Sequence, residues 1–239
     1  MPTIIALIAA GGMGQRFGSS YPKQFWILGG KTVIEHSLMA FEENPSVDGI
    51  HVVIPKDYME RFSQLRLPMV KLKKVVEGGK TRQESVYKGL LSIEGDCRWV
   101  LIHDAARPLV ESSLITSVLK KAMEAKACVP AIPLRDTVKL SSQDRKIIAT
   151  LKREELISVQ TPQAFVFEEI LLAHEMAKRD GIVDAPDDAF LLERMGIEVS
   201  WIEGDPTNLK LTYPSDLPIM EALLRAKRYE KDQDRDPQE

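Results

Sequence analysis

Cysteine is scarce in this sequence: Cys97 and Cys128 are the only two among 239 residues, no CxxC occurs, and no histidine stands near either at metal-ligand spacing. A disulfide framework and a zinc site are thereby set aside, and both thiols read as reduced core residues of a cytosolic protein. Long apolar runs are missing as well. The opening "TIIALIAA", Thr3 to Ala10, ends at Gly11 and Gly12 and has no basic residue before it. It falls well short of the roughly 18 residues a membrane span needs and does not have the form of a secretory signal. Charge of one sign is also lacking: 32 Lys and Arg against 35 Asp and Glu leave a net charge of -3. Such a balance gives no overall field for nucleic acid or an anionic membrane, so any anion site must come from local clusters. With no internal repeat and no linker, residues 1–228 are expected to form one domain, soluble, untargeted and cytoplasmic. The charged end, 229–239, is expected to be a disordered tail.

What is present is an alternation of short β-branched runs with longer amphipathic segments. That is the habit of an α/β fold, a mostly parallel, Rossmann-like sheet flanked by helices. Strands are expected at Thr3 to Ala9, Gly49 to Ile54, Lys73 to Val76, Trp99 to His103 and Cys128 to Ile132. Thr32 with Glu35, and Thr81 with Glu84, have capping-box spacing and announce helices. Another helix is expected over Ser112 to Ala127, where Leu114, Ile115, Val118, Leu119 and Met123 share a face. The alternation breaks at Pro133 to Val159. There "TVKL" and "KIIATL" flank the turn-prone "SSQDRK", which predicts a protruding β-hairpin arm over about 134–158. Between residues 135 and 153 it carries six basic residues (135, 139, 145, 146, 152, 153) against two acidic ones (136, 144). A lone hairpin is marginal in water, so this arm should pack on its own domain or on another chain. A helix over Phe167 to Arg179, a shorter one after Asp187, strands at Glu198 to Ile202 and Leu209 to Thr212, and a last helix from Ser215 complete the expected fold.

In parallel α/β sheets ligands bind beyond the carboxyl ends of the strands. After the first strand comes "GGMGQRFGSSYPKQ", whose glycines let backbone N–H groups approach a polyphosphate. No GxxxxGK[ST] can be placed, and Phe17 stands where a dinucleotide fingerprint needs its third glycine. The loop is set apart by two cations of its own, Arg16 and Lys23. After the third strand, Gly78 and Gly79 lead into the helix that carries Arg82 and Ser85. After the fourth comes "HDAARP", with Asp104 placed to hold a divalent cation between phosphates and Arg107 placed to take a phosphate or hydroxyl. A structural Asp–Arg pair explains the same spacing. Asp187 and Asp188 suit either a second metal site or a helix N-cap with an acidic first turn. His103, with no second His or Cys beside it, reads as a packed strand-end residue. Lys210 lies in a strand-like run, where an inward-pointing lysine needs an anion.

"GGMGQRFGSSYPKQF", "GGKTRQESV", "HDAARP", "RDTVK", "TPQAF" and "EGDPTNLKLTYPSDL", in this order, resemble the 2-C-methyl-D-erythritol 4-phosphate cytidylyltransferase family over about residues 3 to 226. The resemblance implies a nucleotidyltransferase fold and the transfer of CMP from CTP to methylerythritol phosphate with Mg²⁺ present. It implies that Ala10, Gly11, Gly12, Met13 and Gly14 cradle the triphosphate, and that Arg16 and Lys23 stabilise the reacting phosphorus. Gly79, Lys80, Arg82, Ser85 and Ala105 would complete the CTP site, with backbone contacts at Lys80 because some members carry an acid there. Asp104 would be the metal position. Arg107, Thr137, Arg153, Thr161, Thr207 and Lys210 would form the acceptor pocket, Arg153 and Lys210 also serving catalysis. Some members have an acid in place of Thr207. The resemblance further implies a homodimer, each arm delivering Thr137 and Arg153 to its partner's site. A ribitol 5-phosphate cytidylyltransferase of the same fold is the nearest alternative. An NAD-dependent oxidoreductase is the alternative of another class, and it lacks both the third glycine and an acid after the second strand.

Overall fold

The computed structural model describes residues 3–11, 21–65 and 67–233. Its strands are β1 (Thr3–Ala9), β2 (Ile27–Leu28), β3 (Lys31–Thr32), β4 (Gly49–Ile54), β5 (Leu72–Glu77), β6 (Cys97–Asp104), β7 (Ala127–Pro133), β8 (Lys139–Ser141), β9 (Ile147–Thr150), β10 (Ile157–Val159), β11 (Gln163–Val166) and β12 (Ser200–Glu203). Its helices are α1 (Val33–Glu42), α2 (Met59–Ser63), α3 (Arg82–Leu91), α4 (Ser112–Ala125), α5 (Phe167–Arg179), α6 (Ala189–Arg194) and α7 (Asp216–Gln233).

The main sheet begins with β5, β4, β1 and β6, all parallel. Beyond β6 the chain reverses once. β11 runs antiparallel between β6 and β7, and β10 pairs antiparallel with the far end of β7. β12 is parallel to β7. Cys128 pairs with both Ala164 and Ser200, and Ala131 with both Val159 and Glu203, so β12 lies on the other edge of β7. All strands of this sheet but β10 and β11 therefore point their carboxyl ends the same way, and these ends carry the loops discussed below.

The period-two alternation of β1 divides the core in two. Ile4, Ala6, Ile8 and Ala10 face a cluster with Ile34, Leu38 and Phe41 of α1 and Ile115, Val118, Leu119 and Ala122 of α4. Ile5 and Leu7 face the opposite cluster, with Val86 and Leu90 of α3, Ile170 and Ala173 of α5, and Leu191 and Leu192 of α6. A strand buried on both faces has to be apolar throughout, which accounts for "TIIALIA". Close packing of α3 on β1 passes through Gly89, where an added Cβ would lie 2.4 Å from Leu7 Cδ1 and 2.8 Å from Val53 Cγ2. Alanine there gains roughly 1 kcal/mol of helix propensity but overpacks a fully buried contact at a cost of about 1–3 kcal/mol. Gly89→Ala is therefore expected to be net destabilising, seen as a lower urea midpoint; a raised midpoint would contradict this packing.

Expected boundaries and observed ones agree where one physical cause acts. β1 and β4 have the expected limits, and Thr32 and Glu35 form the full reciprocal box at the start of α1. At α3 only half of the box forms: Thr81 Oγ1 accepts from Glu84 N, while Glu84 Oε2 accepts from Lys80 N instead of the cap residue. α4 stops at Ala125 because Lys126 takes a positive φ of 72°. The strand expected at Leu209 to Thr212 is not formed. Its backbone goes elsewhere: Leu211 N donates to Ala106 O, and Leu211 O accepts from Lys23 Nζ. α7 continues to Gln233 through a run of strong helix formers, and the rest of the expected tail, residues 234–239, lies outside the described residues. Both cysteines are buried and unpaired with each other, and burial pushes each thiol up to about 11.

The hairpin is present as β8 paired antiparallel with β9. Every residue of both strands is exposed. Ile147 and Ile148 keep 69% and 61% of their surface in water, far more than two isoleucines should once the arm is packed.

Candidate active site

The site lies across the carboxyl ends of β1, β5 and β6 and the segment that follows β12. Ala10 follows β1 directly, its N–H bonded to Val53 O and its carbonyl accepting from the buried Gln24 side chain at 2.5 Å. Gly11 then runs close to the next loop: a Cβ on it would lie 2.4 Å from Ser85 Oγ, and one on Gly78 would lie 3.2 Å from Gly11 Cα. Here glycine is required by the approach of one backbone to another. Gly12, Met13, Gly14 and Arg16 lie outside the described residues. The far end of that loop is anchored by aromatic packing, with Tyr21 near both Phe25 and Tyr58, and Phe25 stacked on Tyr58 at 5.4 Å. Lys23 follows, its ammonium donating to Leu211 O. This bond ties the first loop to the last segment of the site.

Asp104, the last residue of β6, is the hub. It is 6% exposed. Its Oδ1 accepts from Arg82 Nε at 2.8 Å and its Oδ2 from Lys210 Nζ at 2.5 Å. Burial alone would raise its pKa, but Arg82, Lys210 and Arg107 outweigh burial and hold the carboxyl well below the usual range. Arg82 is partly buried, which would lower its pKa, yet its two carboxylate partners, Asp104 and Asp188, raise it. Burial beside Arg82 lowers that of Arg107, against the pull of Asp104. One carboxylate thus stands among three cations at the mouth of the sheet.

Behind this hub runs a layer of buried polar groups. His103 is fully buried, and burial pushes its pKa down to about 3, so the imidazole is neutral. Its Nε2 lies 3.2 Å from Arg107 O and must carry the proton to donate there; Nδ1 then accepts from the Thr161 hydroxyl at 3.1 Å. Thr161 Oγ1 in turn accepts from Asp104 N at 3.1 Å. Arg107 Nη1 donates to Asn208 O and Asn208 Nδ2 to Thr161 O. Gln160 clasps Asp205 through both ends of its amide. Gln160 and Asn208 were not legible as site residues, although both stand inside the motifs "QTPQAF" and "EGDPTNLK"; only their burial marks them.

The neutral His103 has a consequence for stability. A group whose folded pKa lies below its unfolded value of about 6.5 lends full stability above that pH and loses it as pH falls towards 3, by up to about 1.4 kcal/mol per unit. Urea melts of the metal-free chain at pH 7.5 and 5 should therefore differ more for wild type than for His103→Gln, which cannot titrate. His51, also lowered by burial and by Lys74, contributes equally to both and cancels. Equal slopes would contradict the assignment.

Not every expected site residue directs its side chain into the cluster around Asp104. Thr137 and Arg153 lie exposed on the arm, and Arg153 bonds within it, to Arg135 O and Glu154. Thr161 and Ser85 are buried, with their hydroxyls used internally; Ser85 Oγ accepts from Gly79 N and donates to Thr81 O. Lys80 points to solvent. Ala105 is buried, its N–H bonded to Ala9 O. Thr207 closes a tight turn on Asp205, which accepts from both its N–H and its hydroxyl. Asp187 and Asp188 part company: Asp187 caps α6 by accepting from Phe190 N, and Asp188 turns inward to Arg82. Among the described residues no three His, Cys, Asp or Glu side chains cluster as a metal cage. Asp104 offers a single carboxylate with a lone pair left on each oxygen, which fits a magnesium ion that brings phosphate and water ligands with it.

A mostly parallel sheet with a glycine-bearing first turn and a cationic cluster around one strand-end carboxylate defines an α/β nucleotidyltransferase. The 2-C-methyl-D-erythritol 4-phosphate cytidylyltransferase family model matches residues 4–226, and the chain belongs to that family. Among its relatives, the 2-C-methyl-D-erythritol 4-phosphate cytidylyltransferase of Desulforamulus reducens is 40% identical over 228 residues, covering 94% of this chain and 97% of the relative. The crystal structure of the enzyme of the same name from Thermus thermophilus superposes with a TM-score of 0.78 at 34% identity, over 94% of this chain and all of that one. The 4-diphosphocytidyl-2C-methyl-D-erythritol synthase of Anaerococcus prevotii gives a TM-score of 0.82 at 27% identity, over 94% and 96%. Among the described residues no helix is long and apolar enough to cross a membrane.

Proposed function

We propose that the chain transfers CMP from CTP to 2-C-methyl-D-erythritol 4-phosphate, releasing pyrophosphate and forming the cytidine diphosphate ester of methylerythritol. One observation carries this reading: in a chain that matches the family from residue 4 to 226, Asp104 is held between Arg82 and Lys210 beside the turn that opens at Ala10 and Gly11.

The chemistry asks a phosphate oxygen of the acceptor to attack the α-phosphorus of CTP while pyrophosphate leaves. Little covalent work falls to the protein, so positioning and charge supply the catalysis. Ala10 and Gly11 bring backbone to the triphosphate, together with Gly12, Met13 and Gly14. Lys23 and Arg16 meet the charge that grows on the non-bridging oxygens at the reacting phosphorus. Gly79 and Lys80 offer backbone to the base, and Ser85 fixes Gly79 from behind. Lys210 and Arg107 draw in the acceptor phosphate and offset the repulsion between two anions. Magnesium bound with the triphosphate, with Asp104 as its one protein carboxylate, would neutralise phosphate charge. Thr161 and Thr207 act through Asp104 and Asp205 by holding the loops that carry the contacts.

Arg153 and Thr137 enter from a second subunit. Support comes from the exposed, positively charged arm with Ile147 and Ile148 uncovered on it. Sedimentation should show a dimer, and replacing residues 139–150 by a short glycine–serine turn should give a folded monomer with turnover lowered at least ~100-fold. A fully active monomer would contradict the arm's role. The choice of acceptor is tested by pyrophosphate release with CTP and either methylerythritol phosphate or ribitol 5-phosphate. Preference for the ribitol compound would overturn it. A protein with these substrates and reduced thiols belongs in the cytoplasm.

A further inference from the structure

The guanidinium of Arg82 is held from two sides. Nε donates to Asp104 at 2.8 Å, and Nη1 is ion-paired with Asp188 Oδ2 at 2.8 Å. Asp188 is 1% exposed, and its other oxygen accepts from His174 Nε2 at 3.1 Å. His174, also 1% exposed, is backed by the Tyr87 ring, parallel to within 6° at 6.2 Å. A row of groups therefore runs from α5 through α6 and α3 to the end of β6: His174, Asp188, Arg82, Asp104. Among the described residues Arg82 Nη2 has no hydrogen-bond partner although it is shielded from solvent.

A buried carboxylate behind an arginine is a poor device for stability alone, since well-packed apolar residues of similar volume often do as well or better. Its distinct property is geometric. A planar fork fixed at two of its corners has a single orientation, with its third corner directed one way. Asp104, gripped at Oδ1 by such a fork, loses the freedom to rotate about its own side-chain bonds.

We infer that Asp188 and His174 are positioning residues of the nucleotide site: they fix Arg82, and through it Asp104. The inference rests on the proposed CTP-dependent transfer and goes beyond it, because neither Asp188 nor His174 lies at the surface where substrate binds. Asp188→Asn keeps shape and removes the charge that holds Nη1.

The test compares wild type with Asp188→Asn in two measurements: steady-state KM for CTP and for the acceptor, and direct calorimetric titration with CTP in the absence of acceptor. The expected result is a CTP KM and Kd raised at least tenfold, with the acceptor KM within twofold and a cooperative thermal melt retained. A merely structural role would reduce kcat through a smaller active fraction and leave both KM values alone. Changes in CTP KM and Kd below threefold in a folded variant overturn the inference. His174→Leu and His174→Gln give the second arm should Asp188→Asn not fold. The leucine variant should weaken CTP binding, and the glutamine variant, which keeps a donor near the place of Nε2, should restore it; two variants that both bind like wild type would likewise overturn the inference. Wild type that binds CTP beside a variant that binds equally well sinks the inference alone, whereas wild type that does not bind CTP sinks the proposed function with it.

Discussion

Asp104→Ala is expected to abolish turnover for practical purposes, lowering kcat/KM at least ~1,000-fold, and to destabilise the fold by roughly 3 kcal/mol. Both effects have one origin. Among the described residues the carboxylate is the sole one that contacts both Arg82 and Lys210, whose nitrogens lie 2.8 and 2.5 Å away. Removing it leaves Arg82, still paired with Asp188, and Lys210 facing each other with Arg107 nearby. Loss of one partner from a buried pair usually costs about 3–5 kcal/mol. The lower end applies because the side chains of Arg82 and Lys210 keep 25% and 34% of their surface in contact with solvent. Steady-state kinetics and a urea melt on the same preparation check the two halves together. A variant with wild-type stability would mean that the cations had found other partners, and one with wild-type turnover would remove Asp104 from the site.

Lys23→Ala is expected to lower kcat by at least ~100-fold with a much smaller change in stability. Its ammonium donates to Leu211 O, so it is aimed across the site from the short turn at Lys23–Phe25 and is held there by the buried Phe25 next to it. A fixed cation at a phosphorus that gathers charge in the transition state is worth about 3 kcal/mol, whereas one partly exposed bond to a carbonyl is worth about 1 kcal/mol. The kinetic loss should therefore exceed the stability loss by far. Arg16→Ala should lose a similar factor in kcat if the two cations share this task. Pre-steady-state measurement of pyrophosphate release separates the chemical step from product release; an unchanged chemical step in Lys23→Ala would move the lysine out of the catalytic group.

Legibility followed the range of the forces involved. β1, β4 and α1 could be read from the sequence because their causes are local: alternation buried on two faces, and a cap three residues from its partner. The reversal at β10 and β11 could not, since "ISV" and "QAFV" are too short to show a period: β11 is a sheet strand because β6 and β7 leave a slot between them, and β10 because it pairs with the far end of β7. "LKLT" has strand composition but spends its backbone on Ala106 and Lys23. In the site, the residues just past strand ends were legible as candidates, Asp104, Arg107, Arg82 and Lys210 among them. Their grouping was not: Asp104 and Lys210 are 106 positions apart. Asp187 and Asp188 suited either a second metal site or a helix cap with an acidic first turn; Asp187 does the capping and Asp188 faces Arg82. Gln160 and Asn208 stand inside motifs yet, like His174, are recognisable as site residues only by burial.

The most direct test of cytidylyl transfer is a nucleotide panel: CTP, UTP, ATP and GTP, each with 2-C-methyl-D-erythritol 4-phosphate and Mg²⁺, followed by pyrophosphate release. The expected result is release with CTP at least ~100-fold faster than with any other nucleotide, and none when the acceptor is left out. Absence of release with CTP, or faster release with another nucleotide, would contradict the account.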